Sequence, residues 1–173
     1  MNAIAELERA YIHCRFGLSD ASSCIQWGVA RLQANEEESD LDVVLLAGVK
    51  DGSEALPLAE RILQRYLGPR ALDEQRVCGK YVSELHRRYE AGKITISEID
   101  TVLSELYPKL SHPSWLVMLC RNCEYATDVE GFVKHFEDEF HYIAHLWDDA
   151  SSTEEFLSRY DRNVSNSHDI PKS

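Results

Sequence analysis

Two pairs of side chains in this chain have the types and spacing of metal ligands: Cys120-Arg-Asn-Cys123 and His141-Tyr-Ile-Ala-His145. Thiolate and imidazole are ordinary zinc donors, and two or three intervening residues let each pair close on one ion. The 17 residues between Cys123 and His141 exceed the linker of a two-Cys, two-His finger. That linker also carries a helix start where a finger needs a hairpin. Glu137, His141 and His145 recur every four residues, so they share a helix face on which a carboxylate and two imidazoles could seed a metal centre. The order lacks the glutamate of the His-Glu-x-x-His metalloprotease motif. No second segment pairing an acid with a histidine stands out to complete it. On a helical wheel His141 lies about 120° from the centre of the apolar stripe and His145 about 160°, which points both at solvent. The primary reading therefore assigns no metal, no cofactor and no catalytic residue. A zinc-binding or metal-dependent helical protein using Cys120, Cys123, His141 and His145 stays as the alternative.

Nucleophilic chemistry has less support. Cys24 and Cys78 fall at apolar helical positions, where a small buried hydrophobe is the usual role. Gly-x-Ser-x-Gly, P-loop and Gly-x-Gly-x-x-Gly motifs do not occur. The five cysteines are odd in number and follow no disulfide-scaffold spacing, which fits reduced thiols in the cytosol. The start Met1-Asn2-Ala3-Ile4-Ala5-Glu6 lacks the basic residues of a secretion signal. No apolar run approaches a membrane span. The expectation is a cytoplasmic protein with no membrane partner.

Charge is the strongest compositional signal. The 173 residues carry a formal net charge of −12. The surplus is uneven: residues 1–50 hold 4 basic and 8 acidic side chains, residues 51–110 hold 9 and 10, and residues 111–173 hold 5 and 12. Phosphate binding needs an excess of Lys and Arg, so nucleic acid is excluded as the expected partner. Glu36, Glu37, Glu38, Asp40 and Asp42 gather at one helix junction, and Glu137, Asp138, Glu139, Asp148, Asp149, Glu154 and Glu155 follow near the end. Such clusters are most simply solvated helix faces; the functional reading is a landing surface that steers a positive partner. Trp27 falls almost opposite the stripe Ala21, Ile25, Gly28, Val29 and Leu32, which makes it a candidate exposed anchor, with packing under a neighbouring helix as the alternative reading. In the middle, Arg61, Arg65, Arg76, Arg87 and their neighbours interleave with acids and read as a salt-bridged surface.

The elements that must position these groups are helical almost throughout. Helices are expected at about 2–14, 20–34 and 39–50. Leu41, Val43, Val44, Leu45, Leu46 and Val49 leave the third no polar face, so it should be buried, with a β-strand as the competing reading. A stripe of Ala59, Ile62, Leu63, Tyr66 and Leu67 ends at Gly68-Pro69, and the next helix spans about 71–91. Thr95 and Glu98 form a capping box, and Thr127 and Glu130 read as a second one opening a long helix with Val129, Phe132, Phe136, Phe140 and Trp147 inward. Trp115 to Cys120 reads as a buried helix, and a short one follows at about 152–163. The result is an all-α fold of roughly eight to nine helices, weakly solenoid-like, over residues 1–164, with a flexible polar tail at 165–173.

Four stretches, Phe16-Gly17-Leu18-Ser19, Trp27-Gly28-Val29-Ala30, Leu45-Leu46-Ala47-Gly48 and Tyr89-Glu90-Ala91-Gly92-Lys93-Ile94-Thr95, together resemble small helical bacterial immunity proteins of contact-dependent inhibition and other polymorphic toxin systems. The resemblance covers about half of the chain and brings no catalytic residues. It implies a cytosolic protein that binds and neutralises one cognate toxin domain. A basic domain such as a nuclease would suit an acidic inhibitor. Trp27, Glu36, Glu37, Glu38, Asp40, Asp42, Glu137, Asp138, Asp148 and Asp149 are then the expected contacts. A helical adaptor with a different partner is the second alternative.

Overall fold

The computed structural model describes residues 3–36, 40–68 and 72–166. Among them lie nine α-helices and one 3-10 turn, and no strand. The chain groups into two compact units, Met1–Leu72 and Asp73–Ser173. The expected tail lies, from residue 167 onward, outside the described residues.

The first unit holds α1 (Ala3–Phe16), α2 (Ser22–Gln33), α3 (Leu41–Gly48) and α4 (Gly52–Leu67). Leu7, Ile12, Leu46, Ile62 and Leu63 are its innermost side chains. Residues 41–48 are helical, and the start signal is Asp40, whose carboxylate accepts from the Asp42 amide at 3.0 Å. The expectation that α3 is buried all round is corrected. Val43 and Leu46 face inward, but Leu41, Val44 and Leu45 are 67%, 43% and 48% exposed. A two-turn helix packed against α2 and α4 has one side covered, whatever its composition. Gly28 lets α2 approach α3 closely, since a Cβ there would stand 3.0 Å from the Ala47 backbone nitrogen.

The second unit holds α5 (Glu74–Glu90), α6 (Ile96–Lys109), α7 (Ser114–Asp128), a 3-10 turn (Glu130–Phe132), α8 (Val133–Asp149) and α9 (Thr153–Asn166). Helix α8 is the organiser: it packs on α5 and α7, and α7 in turn packs on α6. An aromatic block centres the core. Trp147 stacks on Phe156 at 3.8 Å and 7°, and Trp115 stands edge-on to both at 5.2 and 5.5 Å. The α5–α8 contact depends on Gly79, where an added Cβ would fall 2.2 Å from the Trp147 ring. Beside it the Ser83 hydroxyl donates to the Ala144 carbonyl at 2.8 Å. Lys80 donates to the carbonyls of Trp147 and Asp148 and so satisfies the C-terminal end of α8.

Of the two capping boxes expected in this unit, one forms, and a further cap, not expected from the sequence, opens α5. The Thr95–Glu98 capping box forms as read, with Glu98 accepting from the Thr95 amide at 2.8 Å. Asp73 caps α5. The second capping box does not form. Thr127 lies inside α7 and its hydroxyl donates back to the Glu124 carbonyl at 2.6 Å, so it is not available to open a new helix. Helix α8 starts after the 3-10 turn instead, leaving Val129 and Phe132 47% and 36% exposed where an inward position was expected.

Candidate functional site

In the second unit a cleft of about 830 Å³ opens between α5 and α8, lined by His86, Tyr89, Glu90, Glu137, Phe140 and His141 among others. Four-residue spacing on each helix builds it. His86 and Glu90 occupy adjacent turns of α5, and Glu137, His141 and His145 occupy successive turns of α8. His86 is buried, with its ring edge-on to Phe140 at 5.0 Å and 88°. Its Nδ1 stands 3.6 Å from a Glu90 carboxylate oxygen, and its ring centroid is 5.4 Å from that of His141. Burial holds the His86 imidazole below its ordinary pKa, so it is neutral near pH 7 and one ring nitrogen is an acceptor. The Tyr89 hydroxyl donates to Glu137 at 2.8 Å, and burial together with that bond pushes the phenol up to about 12.

The four metal candidates do not come together. His141 and His145 are exposed on α8 as the helical wheel implied, with ring centroids 4.3 Å apart. Cys120 and Cys123 face α6 instead. Their sulfurs lie 4.0 and 3.7 Å from the carbonyl oxygens of Leu103 and Ile96. Burial pushes both thiols up to about 12, which also makes them poor nucleophiles near neutral pH. Among the described residues the group whose donor atoms do converge is His86, Glu90 and His141, all within 4.8 Å of one another. The sequence carried a signal for it: His86-x-x-x-Glu90 repeats on α5 the spacing noted on α8.

Trp27 is not an exposed anchor. It is 7% exposed and its indole N–H donates to the Ala3 carbonyl at 2.6 Å, with the Arg31 guanidinium 5.7 Å from the ring. The wheel misjudged it because α2 is covered on the side of Cys24, Trp27 and Gly28 while Ile25, Val29 and Leu32 are only half-buried. Asp40 and Asp42 are likewise not rim charges. Asp40 is buried and pairs with Arg65. Asp42 pairs with Arg65 and with Arg61 at 2.9 Å, and these bonds hold its carboxyl below the usual range. Glu36 is exposed and accepts from Arg31 at 2.6 Å. Glu37 and Glu38 lie outside the described residues. Glu137, Asp138, Asp148 and Asp149 are all exposed on α8. Asp138 pairs with Lys134 at 2.8 Å, Asp148 with Arg87 at 3.1 Å and Asp149 more loosely with Arg159 at 3.8 Å.

A second surface of this unit was missed in the sequence. Met118, Tyr125, Val129 and Phe132 are 42%, 40%, 47% and 36% exposed along the outer side of α7 and the turn that follows it. Tyr125 and Phe132 meet at 5.1 Å, and Phe132 meets His135 at 5.6 Å. A shallow groove of about 520 Å³ runs from Met118 and Tyr125 past Phe132 to Asp138 and Glu139. No protein-family model, curated protein or solved structure matches this chain. The groove has an acidic border. Its carboxylates are Asp138, paired with Lys134, and Glu139, which has no ion-pair partner among the described residues and whose carboxyl burial pushes above its ordinary range. Arg121 is the cation in the groove, its guanidinium 5.5 Å from the Tyr125 ring.

Proposed function

We propose that this chain is a non-enzymatic binding protein of the immunity type, which captures a basic toxin domain and neutralises it. The observation that carries this reading is the exposed strip of Met118, Tyr125, Val129 and Phe132, with the carboxylates of Asp138 and Glu139 on its groove. Exposed aromatic and methionine side chains in one strip are the composition of an interface core, and a charged border is the composition of its rim. The sign of the border selects the partner. A half-sheltered carboxyl such as Glu139 gains most from an arriving Lys or Arg, and the acidic surplus of residues 111–173 speeds the encounter. Nucleases and other effectors that act on nucleic acid carry the matching positive surface.

The test uses the full chain as bait in an extract of its own host, beside a variant carrying Phe132→Ala, Asp138→Lys and Glu139→Lys, all three on the groove. The expected result is one basic protein domain held by the wild type through a high-salt wash, lost from the variant, and silenced in its own activity at a 1:1 ratio. Retention by both baits, or a partner whose activity is untouched at saturation, overturns the reading.

A further inference from the structure

We propose that His86, Glu90 and His141 form a binding site for one divalent transition-metal ion of the zinc class. One oxygen of Glu90 and one ring nitrogen from each histidine already lie within 4.8 Å of one another, in the cleft between α5 and α8. In a tetrahedral zinc site, bonds of about 2.0–2.2 Å place ligand atoms roughly 3.3 Å apart. The His86–Glu90 separation of 3.6 Å is close to that already. The remaining contraction falls on Glu90 and His141, which are exposed and able to change rotamer, whereas His86 is buried against Phe140 and supplies the fixed point.

The donor set argues for the class of ion. Two imidazoles and one carboxylate suit zinc and its neighbours, and are too nitrogen-rich for magnesium or calcium. Glu137, the carboxylate that sequence spacing alone would enlist, is engaged by the Tyr89 hydroxyl at 2.8 Å. Glu90 takes its place from the facing helix. Three protein ligands leave one coordination position open, and it faces the cleft, so water completes the shell. The site is independent of the groove on α7 and does not rest on the immunity reading.

Purified full chain, stripped with chelator, is titrated with Zn²⁺ by calorimetry and with Co²⁺ by visible absorption. The expected result is one equivalent bound, with cobalt bands of a four-coordinate nitrogen and oxygen site. Glu90→Gln and His141→Ala are on exposed positions and should fold as the parent does. Each should weaken zinc binding on the order of 100-fold, since even outer-shell changes cost 10 to 100-fold. Cys120→Ser should bind as the parent does. Zinc affinity unchanged in both ligand variants, affinity lost in Cys120→Ser, or no stoichiometric binding by the parent chain would each overturn the site.

Discussion

Trp27 shows how a single side chain can be misplaced when a helix is read by itself. Its position opposite the stripe of α2 was legible. What covers it was not, because the carbonyl of Ala3 that receives its N–H is 24 residues away. The indole is an interior group with one polar end satisfied, so truncation should act on stability before it acts on any partner. Trp27→Phe keeps most of the volume and removes the donor. It should cost about 1 kcal/mol in denaturant unfolding, and Trp27→Ala about 3–5 kcal/mol. A loss below about 0.5 kcal/mol for the alanine variant would mean the site is open to water. The histidines were legible in a different way. The exposure of His141 and His145 followed from angular position on α8, whereas the grouping of His141 with His86 needed the α5–α8 contact, a tertiary fact that a four-residue spacing only hints at.

Helix boundaries are legible in the residues where local chemistry alone decides them and not where two local signals compete. The Thr95–Glu98 box was readable because its partners are three residues apart and nothing nearby contends for them. The Thr127–Glu130 box has the same letters, but α7 is stabilised by burial of Leu119, Cys123 and Ala126 and continues through Thr127. Packing outweighs a capping pattern worth about 1 kcal/mol. The box that does form has a pH signature. Hydrogen bonds from the Thr95 amide and hydroxyl hold Glu98 below its ordinary value of 4.5. A carboxyl with a lowered folded-state pKa contributes stability above pH 4.5 that fades as pH falls through the folded value. The stability gap between wild type and Glu98→Gln should therefore be widest near neutral pH and close toward pH 3; a gap that widens in acid would contradict the box. The α5–α8 contact makes a sharper demand. Gly79→Ala ordinarily favours a helix by roughly 0.5–1 kcal/mol, but here the new methyl meets the Trp147 ring at 2.2 Å. Overpacking of about 1–3 kcal/mol should win, giving net destabilisation, loss of near-ultraviolet signal from Trp147, or both.

For the whole molecule, net charge was legible at once and its distribution between used and unused carboxylates was not. The cluster at 36–42 reads as a landing surface by composition, yet Asp40 and Asp42 are consumed by Arg61 and Arg65 of α4. Ion pairs between distant segments cancel charge that a count along the chain leaves standing. The groove beside α8 keeps the carboxylates of Asp138 and Glu139 at the surface, and association there should fall with ionic strength. Against a basic domain, Asp138→Lys with Glu139→Lys should slow association by roughly tenfold at low salt and less at 0.5 M, whereas Asp42→Asn should leave the on-rate unchanged while lowering stability. An equal effect of the two would return the landing surface to α3.

One carboxylate also sets the order in which the second unit can assemble. Asp73 caps α5 through the Arg76 amide at 3.0 Å, and the same group receives the amide and hydroxyl of Thr153, 80 residues later, at the start of α9. Closing a loop of that length costs about 4 kcal/mol of chain entropy before the contact offsets it, so the joint forms late in folding. It also seals Phe156 onto Trp147. Thr153 should then report the integrity of the whole unit: its amide proton should exchange with solvent as slowly as those of the core helices, and Asp73→Ala should release α9 to exchange by local opening while α6 and α7 stay protected.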